Sequence, residues 1–322
     1  MQNTDYHPCS EKPEQESRSR TVSLFGTEFS VRNYICSQDG IHYPPMPEKW
    51  KVELSVCITS WCPAACPFCV AGNTAQKQFL NPEKLRIVLE ELAKEGMVRG
   101  VSITGGEPFA DTVLLNEVIS MIFEILGEHT ELSVTTNGMA IEDLLRMQKL
   151  SYLDALHISR HHFLDEKNEE IFGIPVAGRE QLKEVVSALP YPDLFVLNCM
   201  LLKGYIENTE DVCRYLDHAL DIGIPKSSFI TAIPSNDYTR RSRLAYEAVI
   251  PREDPRFLFT RGYRDYEYCR CQDACYVSKD GRWMHLYGRA TDSGSCPYAR
   301  GLVYTADNCL KTGYAGAILF QP

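Results

Sequence analysis

The chain alternates short apolar runs with longer amphipathic segments from about residue 51 onwards. Runs such as VELSVCI and LFVLNCMLL have the length and apolar content of buried strands. In the segments between them, apolar residues recur every three or four positions, as a helix on a sheet requires. This alternation predicts six strands that alternate with five helices. The predicted strands are VELSVCI, VSIT, LSVTT, ALHIS, LFVLNCMLL and SFITAI. The predicted helices lie in NPEKLRIVLEELAKEG, DTVLLNEVISMIFEILG, EDLLRMQKL, REQLKEVVSAL and NTEDVCRYLDHALDIG.

Apolar strands separated by helices indicate a parallel sheet with helices packed on its outer face. Capping residues support the helices: Asn81 and Gly96 bracket the first, and Asn208 and Gly223 bracket the fifth. Six strand and helix units are too few for a complete eight-stranded barrel. We therefore predict an α/β fold, a partial (β/α)6 TIM-like barrel with a small C-terminal domain that contains a hairpin.

Three regions follow from these patterns. Residues 1–50 are predicted to be an N-terminal extension that is partly disordered and contains a short hairpin in TVSLFGTEFSVRNY. Residues 51–235 form the partial barrel. Residues 236–322 form the C-terminal domain, in which YVSKDGRWMHLY reads as a hairpin with Asp280 and Gly281 at its turn.

Composition and charge narrow the function. The 322 residues are 44% hydrophobic, which is enough for a substantial core, and no apolar run is long enough to cross a bilayer. The formal net charge of −10 disfavours nucleic acid as a partner. We expect a cytoplasmic protein with no membrane partner. Its 13 cysteines are clustered and no export signal accompanies them, which favours metal ligation over disulfides.

Three of these cysteines, Cys62, Cys66 and Cys69, lie within CPAACPFC, just after the first predicted barrel strand. This is the carboxyl end of the strands, where barrel enzymes build their sites. Three thiolates on a short loop are suited to ligate three irons of a [4Fe-4S] cluster and to leave the fourth open. The alternatives are a structural zinc site and a reactive-thiol loop.

The C-x3-C-x2-C spacing, with Phe68 before the last cysteine, resembles the hallmark of the radical S-adenosylmethionine (SAM) superfamily. A second motif, SITGGEP, is similar to the family's glycine-glycine-glutamate segment, which lines the methionine part of SAM. Here Gly105 and Gly106 would allow close approach of the backbone to a ligand, and Glu107 would help to hold a cationic amine. The resemblance covers about residues 51 to 235.

The resemblance implies further site residues at the strand ends. Thr135 and Asn137 share one strand face. By resemblance, Asn137 and Ser159 would contact the carboxylate or ribose of SAM. Asn198 would contact a ribose hydroxyl, and Thr135 is predicted to lie with them at the cofactor. The alternative for each is a satisfied polar group at a strand end. As candidate substrate contacts we single out His161 and His162.

The family's chemistry implies an enzyme that reductively cleaves SAM to a 5′-deoxyadenosyl radical, which abstracts hydrogen from a peptide or a small-molecule substrate. The electron would come from a donor such as flavodoxin or ferredoxin. The alternative is a non-catalytic iron-sulfur or zinc-binding redox sensor. Such a sensor needs no methionine-binding segment, so Glu107 and its two glycines favour the enzyme.

A second cysteine group follows the barrel: Cys269, Cys271, Cys275 and Cys296, spaced C-x-C-x3-C-x20-C around the predicted hairpin. This layout resembles the twitch and SPASM domains of radical SAM enzymes and implies an auxiliary [4Fe-4S] cluster, with a zinc knuckle as the alternative. It is loosely similar to the family member that rearranges GTP, but the spacing differs. The remaining cysteines are expected to be mostly buried small hydrophobes: Cys9, Cys36, Cys57, Cys199, Cys213 and Cys309.

The auxiliary cluster can be tested in a triple variant in which Cys62, Cys66 and Cys69 are replaced by alanine. After anoxic reconstitution we expect about four irons and four sulfides per chain, because four thiolates in the C-terminal region suffice to ligate one cluster. Iron, sulfide and zinc analysis measures this. Zinc at this site, or protein without iron, would contradict the assignment.

Overall fold

A twelve-stranded sheet dominates the structure. The structure is a computed structural model, and it describes residues 19–32, 52–70, 77–191, 193–250, 253–264, 272–278, 282–288, 301–314 and 316–321. A separate two-stranded sheet precedes it in the chain. In chain order the strands are β1 (Ser19–Leu24), β2 (Thr27–Arg32), β3 (Val52–Cys57), β4 (Val98–Thr104), β5 (Glu131–Thr136), β6 (Ala155–Ser159), β7 (Phe195–Leu201), β8 (Lys226–Thr231), β9 (Phe257–Arg264), β10 (Gln272–Ser278), β11 (Trp283–Gly288), β12 (Gly301–Tyr304), β13 (Leu310–Lys311) and β14 (Ile318–Phe320).

Helical segments connect the central strands. The α-helices are α1 (Pro82–Glu95), α2 (Thr112–Leu126), α3 (Asp165–Phe172), α4 (Arg179–Ala188), α5 (Thr209–Ile222), α6 (Asp237–Ser242) and α7 (Tyr246–Val249). Short 3₁₀ helices form at Pro108–Ala110, Ile141–Arg146 and Leu150–Tyr152. None of the helices in the described part of the chain is long and apolar enough to cross a membrane.

The six predicted barrel strands are β3 to β8, which lie side by side in chain order and are all parallel. Two strands from the C-terminal region extend this array: β12 pairs parallel with β3, and β11 pairs parallel with β8. Among the described strands, β9 and β14 are the outer edges, so the sheet does not close on itself. The prediction of a partial barrel is confirmed.

The helices pack on one face of the parallel strands through an apolar layer. Asn81 caps the start of α1, and its side chain accepts a hydrogen bond from the Lys84 N–H at 3.2 Å. Gly96, where φ is +57°, caps the end of the helix. This face of α1 buries the four residues that the helical spacing predicts: Leu85, Val88, Leu89 and Leu92. They pack in the same core as alternate strand residues, such as Leu54, Val101, Val134 and Leu156.

The helix predicted around EDLLRMQKL is replaced by 3₁₀ turns. The buried apolar residues of this connection recur every third position, which matches the three residues per turn of a 3₁₀ helix and not the 3.6 of an α-helix. They are Ile141, Leu144, Met147, Leu150 and Leu153, each at most 8% exposed.

Both predicted hairpins are present. β1 and β2 pair around Phe25 and Gly26, which both have positive φ, and the Phe25 ring stacks on Phe320 at 3.8 Å. β10 and β11 pair antiparallel in the C-terminal region. Asp280 and Gly281 lie outside the described residues.

Candidate active site

The cysteine loop leaves the sheet at the end of β3, at the carboxyl edge of the parallel strands. Cys62 and Cys66 are half-buried, and Cys69 is exposed. Burial, followed by the neighbouring thiols of Cys69 and Cys62, raises the pKa of the Cys66 thiol to about 12. The three sulfurs therefore lie close enough to influence one another, and an unligated Cys66 is protonated at neutral pH.

Apolar packing and two hydrogen bonds hold this loop. Cys62, Cys66 and Phe68 pack against a small apolar cluster that includes Phe172 at the end of α3. The Ala65 N–H donates to the Phe172 carbonyl oxygen at 2.7 Å. On the other side, the side-chain amide of Asn236, just before α6, donates to the Pro67 carbonyl oxygen at 2.9 Å.

The Gly-Gly segment pairs with the start of the cysteine loop. The Gly106 N–H donates to the Thr59 carbonyl oxygen at 2.6 Å, and the Glu107 N–H donates to that of Trp61 at 2.9 Å. A Cβ atom on Gly106 would lie 1.8 Å from the Trp61 oxygen, and one on Gly105, where φ is +121°, would lie 2.6 Å from the Thr59 oxygen. These glycines thus allow the cysteine loop to approach the Gly-Gly segment closely. This requirement for glycine is separate from the predicted close approach of a ligand.

The Glu107 carboxylate is almost fully buried and accepts three hydrogen bonds. Its Oε1 accepts from the Thr136 hydroxyl at 2.6 Å and from the Phe109 N–H at 3.0 Å, and its Oε2 accepts from the Asn137 N–H at 2.8 Å. Burial raises the pKa of Glu107, and the three donors oppose that rise. The carboxylate joins the Gly-Gly segment to the end of β5. Its predicted contact with the SAM amine stays a prediction.

Most strand residues on the face away from the helices are polar, although Val196, Met200 and Ile230 also lie there. Pairing across the sheet places Thr135 opposite His157, and Ser159 opposite Asn198. His157 Nδ1 and Asn198 Oδ1 are 3.1 Å apart. Burial lowers the pKa of His157, so its ring is neutral at pH 7. The structure therefore brings Thr135, Ser159 and Asn198 to neighbouring positions on one sheet face, and Asn137 follows at the end of β5.

His161 is buried between aromatic rings. It meets Phe68 edge to face at 4.8 Å and Phe172 at 5.0 Å. Its Nδ1 accepts a hydrogen bond from the Met200 N–H at 3.1 Å, which places the ring proton on Nε2. Burial, with a smaller contribution from the adjacent Arg160 charge, lowers the pKa of His161 to about 3. The ring is neutral and supports the cysteine loop from β6.

His162 takes part in a turn that Asn168 of α3 holds. His162 Nδ1 accepts from the Leu164 N–H at 3.0 Å. The Asn168 Oδ1 accepts from the backbone N–H groups of His161 and His162, and its Nδ2 donates to the carbonyl oxygens of His162 and Leu164. Asn168 is fully buried. Substrate contact by either histidine stays a prediction.

Arg160 is a buried centre of hydrogen bonds that the motifs do not reveal. Its guanidinium pairs with Asp165, donates to His218 Nε2 at 2.8 Å and donates to the Ala177 carbonyl oxygen at 3.0 Å. The Tyr215 hydroxyl donates to the Arg160 carbonyl oxygen at 2.7 Å. The end of β6 is thereby tied to α3 and α5. The sequence contains one indication of this role: Arg160 is a charged residue at an otherwise buried strand end, and a buried charge requires hydrogen-bonding partners.

Comparison with known families decides the class. The family model described as "Radical SAM superfamily" matches residues 56–241, more than half of the chain. The chain belongs to the radical SAM superfamily. This confirms the resemblance carried by the cysteine triplet and by SITGGEP.

Curated relatives of this radical SAM protein include two archaeal proteins named "Probable GTP 3′,8-cyclase". The one from Saccharolobus islandicus is 26% identical over 189 residues, 56% of this chain and 57% of that protein. The one from Sulfurisphaera tokodaii is 28% identical over 186 residues, 56% of each chain. The chain spans little more than half the length of these relatives.

Among solved structures, Streptococcus suis SuiB bound to S-adenosylmethionine has a similar fold. The TM-score is 0.55 at 14% sequence identity, and the match covers 84% of this chain and 63% of SuiB. At this identity the likeness concerns the fold alone.

Membership of the radical SAM superfamily implies a [4Fe-4S] cluster and SAM as cofactors. Within the described residues, no three His, Cys, Asp or Glu side chains are grouped to hold a single metal ion. A four-iron cluster takes one thiolate per iron corner and does not need its ligands to converge on one ion. Three neighbouring thiols with apolar packing, at the carboxyl edge of the strands, fit such a cluster.

The second cysteine group is only partly described. Cys275 lies in β10, where it pairs with His285 of β11. Cys269, Cys271 and Cys296 lie outside the described residues, so the auxiliary cluster stays a prediction. Of the cysteines expected to be small hydrophobes, Cys57, Cys199 and Cys309 are buried and Cys213 is half-buried. Cys9 and Cys36 lie outside the described residues.

The contact between the Gly-Gly segment and the cysteine loop predicts the effect of Gly106→Ala. The added methyl group overlaps the Trp61 carbonyl oxygen, so we expect a loss of about 1–3 kcal/mol in stability and lower iron content per chain after reconstitution. Thermal unfolding and iron analysis measure these.

The matched control is Gly127→Ala at the end of α2, where φ is +86° and no described neighbouring atom lies within 4 Å of the added methyl group. It strains the backbone away from the cysteine loop, so stability falls while iron content is kept. Equal iron content in the Gly106 variant and the wild type would contradict the proposed constraint.

Proposed function

We propose that this radical SAM enzyme reductively cleaves SAM and abstracts a hydrogen atom from a peptide or small-molecule substrate bound at the polar face of the barrel. The observation that carries the proposal is the backbone pairing of the cysteine loop with Gly105–Glu107 beside that face. A redox sensor has no need of this joined arrangement of thiols, Gly-Gly segment and polar strand ends.

When bound, the cluster and SAM supply a 5′-deoxyadenosyl radical that removes hydrogen from unactivated carbon. The chain's own residues bind, orient and shield. Cys62, Cys66 and Cys69 would ligate the cluster, and Phe68 with its apolar neighbours would limit access of water to it. A flavodoxin or ferredoxin would deliver the electron.

The polar face indicates what kind of substrate group it can accept. In β3–β8 most central positions of this face carry hydroxyl, amide or imidazole groups, and Val196, Met200 and Ile230 are apolar. Charged side chains occur only towards the start of these strands, as in the Glu53–Arg99 ion pair. The polar residues at the central positions of this face are Ser55, Ser102, Thr104, Ser133, Thr135, His157, Ser159, Asn198 and Ser228. These positions favour an uncharged, hydrogen-bonding group near the site of hydrogen abstraction.

The cluster assignment is tested by Cys66→Ala. With SAM and dithionite under anoxic conditions, we expect the wild type to release 5′-deoxyadenosine and the variant to lose this activity, because two loop thiolates do not hold the cluster in its SAM-binding form. Cys213→Ala, on the half-buried face of α5, is the control and should keep wild-type release. Equal product from the Cys66 variant and the wild type would refute the assignment.

A second candidate substrate is GTP, which the names of the curated relatives suggest. The triphosphate needs cations, and the central positions of the polar face in β3–β8 offer none. We therefore expect GTP to leave the rate of 5′-deoxyadenosine release unchanged. Chromatography coupled to mass spectrometry would detect a cyclised guanosine product, and its formation would assign the protein to the relatives' activity.

A further inference from the structure

The side-chain amide of Asn137 is directed at a sulfur of the cysteine loop. Its Nδ2 lies 3.7 Å from Cys62 Sγ, within the range of an N–H···S hydrogen bond. Asn137 is 9% exposed, so little water competes for this contact. The resemblance assigns Asn137 to SAM, whereas this geometry directs it to a cluster ligand.

The orientation of this amide is set by its surroundings. Asn137 Oδ1 accepts from the Met139 N–H at 2.9 Å, so the oxygen faces the backbone and the nitrogen faces the sulfur. The Asn137 N–H donates to Glu107 Oε2 at 2.8 Å. The neighbouring Thr136 hydroxyl donates to Glu107 and accepts from the Gly138 N–H at 3.1 Å. Both ends of the residue are therefore held before any ligand binds.

A hydrogen bond to a cluster sulfur affects the two redox states unequally. The reduced cluster carries one more negative charge, part of which resides on its sulfur ligands. A donor at Cys62 therefore stabilises the reduced state more than the oxidised state. Burial strengthens the effect, because a low local dielectric screens it little.

We propose that Asn137 raises the reduction potential of the SAM-binding cluster through its hydrogen bond to Cys62. The inference rests on ligation of the cluster by Cys62, which belongs to the proposed function.

The test is an EPR-monitored redox titration of the anoxically reconstituted full chain without SAM. Asn137→Leu removes the donor, so the midpoint potential should become more negative than that of the wild type. Asn137→Asp keeps the acceptor for the Met139 N–H but puts a negative charge beside Cys62, so its potential should be lower still. Asn198→Leu is the control: it removes an amide from the same polar face, and its potential should match the wild type.

A second measurement covers the case in which the Asn137 variants fail to take up iron. In wild-type protein labelled with ¹⁵N-asparagine, pulsed EPR of the reduced cluster should detect a ¹⁵N hyperfine coupling, which the Asn198→Leu variant keeps. Unchanged potentials in both Asn137 variants, or no such coupling in the wild type, would overturn the inference. Loss of iron from the wild type upon Cys62→Ala tests the ligation separately, so the two failures are distinguishable.

Discussion

The backbone pairing between the Gly-Gly segment and the start of the cysteine loop is the contact on which the site depends. The N–H groups of Gly106 and Glu107 donate to the carbonyl oxygens of Thr59 and Trp61, so the parallel pairing of β3 and β4 continues past the strand ends. Cys62 follows immediately after this contact. The first thiol is therefore placed by main-chain hydrogen bonds, which side-chain motion does not disturb.

Around this contact, buried polar side chains hold the other strand ends. Glu107 joins the Gly-Gly segment to β5, Asn168 closes the turn after β6, and Arg160 ties β6 to α3 and α5. Each is nearly fully buried, and its polar atoms find several partners. Because leaving any of these groups unpaired in the interior is costly, the loops that carry the site are held to one geometry.

Much of the fold follows from local patterns. The apolar periods and caps predict β3 to β8 and four of the five connecting helices, because burial on a sheet requires those periods whatever the rest of the chain does. The connection at 141–153 differs from the predicted α-helix because its buried apolar residues recur every third position, which fits a 3₁₀ helix. α3 is missed because DEKNEEIF has only two apolar residues, and Asn168 is buried there for its hydrogen bonds.

For the site, the residue types and their chemistry are evident from the chain alone: three thiols at a fixed spacing, two glycines and a glutamate, and polar residues at the strand ends. Which of these groups are in contact depends on the folded chain. Glu107 meets Thr136 and Asn137, and Asn137 meets Cys62 across 75 residues. The spacing of residues along the chain reflects only the periodicity of the helix or strand that contains them. Contacts between strand ends depend on sheet register and loop closure, which are set by the packing of the whole core.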